Sequence, residues 1–123
     1  MVMYINESTN SRAYRYKQDK LYDFFEWYHF GAVHVVTERD TFVLLDLMKV
    51  YNPYQFITYS IKEFDCSPTM ICEFIFKIID MDIVFTSYKE SSLYFCKASK
   101  FEVYPKVFEI FRKDIPKSSD IIF

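Results

Sequence analysis

Residues Gln55–Met81 read QFITYSIKEFDCSPTMICEFIFKIIDM, and two different periods meet inside them. In the first half, Ile57, Tyr59 and Ile61 alternate with Thr58, Ser60 and Lys62. Period two is the pattern of a strand with one wet face. In the second half the period changes. Ser67 suits an N-cap and Pro68 suits the first helical position, where a missing N–H costs nothing. Met70, Ile71, Phe74, Ile75, Ile78 and Ile79 then form a wide apolar face over Thr69–Met81, with Glu73 and Lys77 opposite as an i,i+4 pair.

Outward from this segment the same signals recur. Asp82–Lys89 and Leu93–Lys100 read as two strands joined at Glu90-Ser91-Ser92. Pro105 opens a last helix to about Lys113, burying Val107, Phe108, Ile110 and Phe111. Residues 116–123 read as a polar tail ending in Ile121-Ile122-Phe123. Upstream, Asn52-Pro53 ends a helix that Thr37 caps, with Asp40 at N3 and Phe42, Leu45, Leu47 and Met48 inward. Gly31 is either a tolerated interior residue of the preceding helix or the position that stops it, and if it stops the helix Ala32–Val36 is a short strand. Asp19 caps a helix whose stripe is Leu21, Phe24, Phe25, Tyr28 and Ala32. Met1–Ile5, the turn-rich Asn6–Asn10 and the alternating Ala13–Lys17 suggest a hairpin over residues 2–17. The sum is a single α+β domain over 1–123, with about four helices on a small, mostly antiparallel sheet. An all-α fold is the alternative, because short aromatic runs fit either period.

Composition narrows the chemistry. The chain has 123 residues, 51% of them apolar, enough for one real core. It has 14 Phe and 11 Tyr but one Gly. A lone glycine cannot build a Rossmann turn or a P-loop, which excludes nucleotide binding by those routes. The preference for Phe, Tyr, Ile, Lys and Asn fits a low-GC genome such as a large DNA virus, a mobile element or an intracellular parasite. Cys66, Cys72 and Cys96 are an odd, small number, consistent with reduced thiols and an intracellular site, the cytoplasm or nucleus of a host cell if the source is viral. MVMYINESTN has no apolar leader core, and no run approaches the ~20 apolar residues of a membrane span.

No catalytic signature stands out. His29 and His34 are too far apart on a helix to share a ligand, and with Glu26 they make no standard zinc spacing. Cys66, just ahead of the Ser67-Pro68 helix, is a nucleophile candidate with His29 or His34 as base. Glu63 with Asp65 and Asp80 with Asp82, with Lys89 and Lys97 on following strands, are the residues that a small metal-dependent nuclease or hydrolase would use. Each pattern is equally ordinary in loops and cores, so no cofactor and no metal is expected, and the chain reads as a non-enzyme.

Two surfaces remain. On the helix carrying Leu21, Trp27, Phe30 and His34 face away from the core stripe, with Tyr22 and Val33 beside them. Large rings on a face that should be wet suit a protein partner or a second copy of the chain. Arg12, Tyr14, Arg15, Tyr16, Lys17 and Lys20 interleave bases and rings, as single-stranded nucleic-acid platforms do. The formal charge of −2 weighs against nucleic acid. The leading expectation is a protein-protein interaction module, homodimeric in one form, which a viral or mobile-element source would make a host-directed adaptor or inhibitor.

Overall fold

The computed structural model describes residues 1–25 and 33–112, without the Phe25 side chain. The Ser67-Pro68 signal is where the helix starts. Ser67 Oγ accepts a hydrogen bond from Met70 N at 3.3 Å, and Pro68 is the first helical residue. This helix, α3, runs Pro68–Asp80, with Ile71, Phe74, Ile75, Ile78 and Ile79 buried. The others are α1 (Arg12–Phe25), α2 (Thr41–Tyr51) and α4 (Val103–Arg112). The strands are β1 (Val2–Tyr4), β2 (His34–Val36), β3 (Gln55–Thr58), β4 (Val84–Ser87) and β5 (Tyr94–Phe95). Among the described residues, four α-helices on a five-stranded mixed sheet make the α+β class.

The sheet order is β2-β1-β3-β4-β5. Here the sheet departs from the mostly antiparallel expectation. β1 pairs parallel with β2 and with β3, and β3 pairs parallel with β4; only the β4–β5 hairpin is antiparallel. The reason is connectivity. A helix follows each of β1, β2 and β3, and a helical crossover returns the chain in the same direction. Burial follows. Phe56, Ile57 and Thr58 are all buried, so β3 has no wet face.

Val2, Tyr4, Phe56, Phe85 and Phe95 point to one face, where α2, α3 and α4 supply Leu44, Met48, Phe74, Ile78 and Val107. Met1, Met3, Ile5 and Ile57 form a smaller core with Leu21 of α1 on the opposite face. Helices therefore cover both sides of the central strands.

The expected 2–17 hairpin is a strand and the start of a helix. Ser11 Oγ accepts from Tyr14 N at 2.9 Å, which begins α1 eight residues before Asp19 could. Tyr14, Lys17 and Leu21 turn inward at helical spacing, a pattern that alternation masks. The expected cap at Thr37 moves to Asp40, whose carboxylate accepts from Phe42 N at 2.8 Å. Phe42 then falls on the outside, 63% exposed, rather than in the core. Asn52 ends α2 at φ 46°, a left-handed position that Asn tolerates. Lys97–Glu102 is a 3-10 segment leading into α4, not the end of a strand. Phe108 is exposed while Val107 is buried.

Candidate functional site

The chain leaves β1 for β2 on one side and then returns to β3 on the other. In open parallel sheets such a reversal leaves a crevice at the carboxyl ends of the strands, the usual ligand position. In this protein the loops after β1, β3 and β4 meet at that position through hydrogen bonds and an ion pair.

A relay of loops sets it. After β4, Glu90 Oε1 accepts from Ser60 Oγ at 2.8 Å and from Ile61 N at 2.9 Å. That fixes the 3-10 turn Ile61–Glu63 after β3. The turn places Glu63 beside the end of β1. Asn6 N donates to Glu63 Oε2 at 2.9 Å, and the Asn6 side-chain amide donates to the Glu63 carbonyl. Lys17, reaching in from α1, lies 2.9 Å from Glu63 Oε1 and 3.2 Å from Glu7 Oε1. Burial alone would lower the Lys17 pKa. The hydrogen bond and charge of Glu63, then those of Glu7, outweigh it and raise the value. The Tyr4 phenol beside this network is pushed up by burial first and then by the Glu63 charge.

On the α1 side, rings line the mouth of the crevice. Tyr16 meets Tyr59 edge-on at 6.4 Å, Tyr59 meets Tyr88 at 5.5 Å, and Phe24 meets Tyr88 edge-on at 5.3 Å. Lys20 sits over Tyr16 at 5.4 Å, and Lys89 over Tyr59 at 5.4 Å. Interaction with Tyr59 raises the Lys89 pKa, so this exposed ammonium stays charged. The expected basic-aromatic segment is thus helical and divided. Tyr14 packs on the smaller core and Lys17 is neutralised by two carboxylates, while Arg12, Arg15 and Tyr16 are exposed.

The expected partner surface fares differently. Trp27 and Phe30 lie outside the described residues, as do Glu26, His29 and residues 116–123. Val33 packs on the smaller core. His34 stacks on Tyr51 of α2 at 4.1 Å and 13°. Tyr22 is exposed. A different aromatic surface runs along α4. Phe101 is 93% exposed, and Tyr104 stacks on Phe108 at 6.0 Å and on Phe76 of α3 at 5.2 Å. No single letter of the sequence marks it. The apolar spacing of 101, 104 and 108 does, once the helix start is known.

The carboxylates are dispersed. Asp80 pairs with Lys100 at 3.2 Å and Asp82 with Lys97 at 2.9 Å, both on the surface. Among the described residues no three His, Cys, Asp or Glu side chains come together as a metal-ligand set. Burial, then Asp65, raises the Cys66 thiol pKa, the opposite of what a nucleophile at a helix start needs. The thiol with a lowered pKa is Cys96, through the Ala98 backbone N–H and then the Ser99 hydroxyl. No helix among the described residues is long and apolar enough to cross a membrane. No protein-family model matches the chain, and no curated protein is significantly similar to it.

Proposed function

We propose that the protein is a protein-binding module that works through the outer stripe of α4. One observation carries the reading: α4 is apolar on both sides. Val103 and Val107 are buried inward, while Tyr104 and Phe108 are exposed, as is Phe101 at the end of the 3-10 segment that leads into the helix. Large rings exposed together on a surface mark an interaction site. Phe101, almost entirely in water, gains little from packing in the isolated chain, whereas at an interface aromatics dominate the binding energy. Within α4, Tyr104 and Phe108 are four residues apart and share one face of the helix.

The test is the double variant Phe101→Ser, Phe108→Ser. Phe101 lies almost entirely in water and Phe108 partly so, and circular dichroism should show the variant folded, with a small fall in melting temperature from the lost Tyr104–Phe108 stacking. Self-association, read by light scattering, or retention of a protein captured from the native cell should be lost. A folded variant that keeps every association of the parent overturns the reading. A second copy of the chain and a distinct partner are separated by the mass of the complex.

A further inference from the structure

We infer that the surface of α1 over the mouth of the crevice is a second binding site, independent of the α4 stripe, for single-stranded nucleic acid: a base stacks on Tyr16 while Arg12, Arg15, Lys20 and Lys89 take the phosphates.

Charge complementarity carries the argument. The bases of this region fall into two kinds. Lys17 is held by Glu63 and Glu7 and has nothing to offer a ligand. Lys20 and Lys89 meet only rings, Tyr16 and Tyr59, and neither has a carboxylate within ion-pair distance among the described residues. Arg12 and Arg15 are exposed and equally unpaired there. Carboxylates pair with Lys17 and with none of the four outer bases among the described residues, so these outweigh the one carboxylate exposed in their row, Asp19.

Tyr16 supplies the stacking surface. It is 54% exposed, and its edge is braced by Tyr59, itself packed against Tyr88. A braced ring loses little entropy when a base covers it. Stacking of this kind is tolerant of sequence. From Arg12 to Lys20 the row along α1 is ~12 Å long at helical rise. That exceeds one phosphate, so a strand fits better than a free nucleotide. The two share the chemistry of a planar base carrying phosphate, and the experiment separates them. Duplex DNA hides its base faces and cannot stack on Tyr16.

The experiment is fluorescence anisotropy of the whole chain with a labelled oligothymidylate or oligouridylate at about 50 mM salt, with thymidine and uridine monophosphates and an unlabelled duplex as competitors. The expected result is saturable binding, weakened about tenfold or more by Tyr16→Ala and restored by Tyr16→Phe. Lys20→Gln with Lys89→Gln should flatten the dependence of log affinity on log salt by ~0.7 for each phosphate that is no longer neutralised. Tyr16 is exposed, so circular dichroism should show these variants folded. Competition by the monophosphate at strand-like affinity keeps the chemistry and assigns the free nucleotide. No binding, equal competition by duplex, or binding unchanged in Tyr16→Ala overturns the inference. None of these results depends on Phe101 or Phe108, so the α4 reading stands or falls separately.

Discussion

Lys17 Nζ and Glu63 Oε1 lie 2.9 Å apart between α1 and the turn after β3, with side chains only 16% and 7% exposed. This pair ties the helix on one face of the sheet to the loop that leaves its centre. Removing one partner strands a buried charge. Lys17→Met or Glu63→Leu alone should cost about 3–5 kcal/mol in urea unfolding, while the double variant should cost clearly less than the sum. Additive losses would mean that the pair is not coupled.

The same pair sets an alkaline limit. The folded Lys17 pKa is raised above its unfolded value of 10.5. Its contribution to stability is therefore complete below that unfolded value and is lost as pH rises through the higher folded one. Melting temperature should fall on the alkaline side of pH 10.5, more steeply than in the Lys17→Met, Glu63→Leu double variant. Parallel curves for the two proteins would contradict this.

Two buried hydroxyls near the carboxyl ends of the sheet, Tyr4 Oη and Ser87 Oγ, have no hydrogen-bond partner among the described residues. Both sit at positions below 2% exposure. Deleting an unpaired buried polar atom removes a desolvation cost without opening a large cavity. Tyr4→Phe and Ser87→Ala should leave stability unchanged or raise it by about 1 kcal/mol in chemical denaturation. A loss above about 1 kcal/mol in either would show that the hydroxyl is satisfied.

The buried side of α4 and the exposed end of the 3-10 segment before it should respond differently. Val107→Ala opens a gap against α3 and should cost about 1–3 kcal/mol. Phe101→Ser, on a side chain almost entirely in water, should change unfolding free energy by no more than ~0.5 kcal/mol. Paired urea titrations decide it.

The three thiols should separate by reactivity. Burial pushes the Cys72 pKa up to about 11, and burial with Asp65 raises Cys66, whereas hydrogen bonds from the Ala98 backbone and Ser99 lower Cys96. A limiting amount of iodoacetamide at about pH 8 should label Cys96 first and Cys72 last by peptide mass. Cys72 labelling ahead of Cys96 would contradict the environment described.

The parts of the fold written in adjacent residues were legible. Ser67-Pro68 with the following apolar face specified α3 almost to the residue, and Asn52-Pro53 stopped α2. Where two local patterns overlapped, reading failed. Tyr14-Arg15-Tyr16-Lys17 alternates like a strand, yet Tyr14, Lys17 and Leu21 also fit one helical face, and the Ser11 cap decides between them. Strand direction was not local at all. The recurring order of strand then helix was the available sign of parallel pairing, and hairpin-like turns drew attention from it. The crevice was beyond reach because Lys17 and Glu63 are ordinary residues until the sheet order brings them together. The exposed stripe was hidden because Phe108 fits the inward pattern with Val107 and Phe111 until the start of α4 at Val103 is known.

The position of β1 has a consequence for how the chain acquires its shape. This first strand lies between β2 and β3, with Val2 opposite both His34 and Phe56. During synthesis it emerges first but has nothing to bond until distant segments follow. Long-range parallel pairing of this kind folds slowly. Val2-Met3-Tyr4, apolar and fully buried in the end state, can therefore be covered only after residues 34–36 and 55–58 have come to both of its sides, and until then it is an unpaired apolar strand open to aggregation.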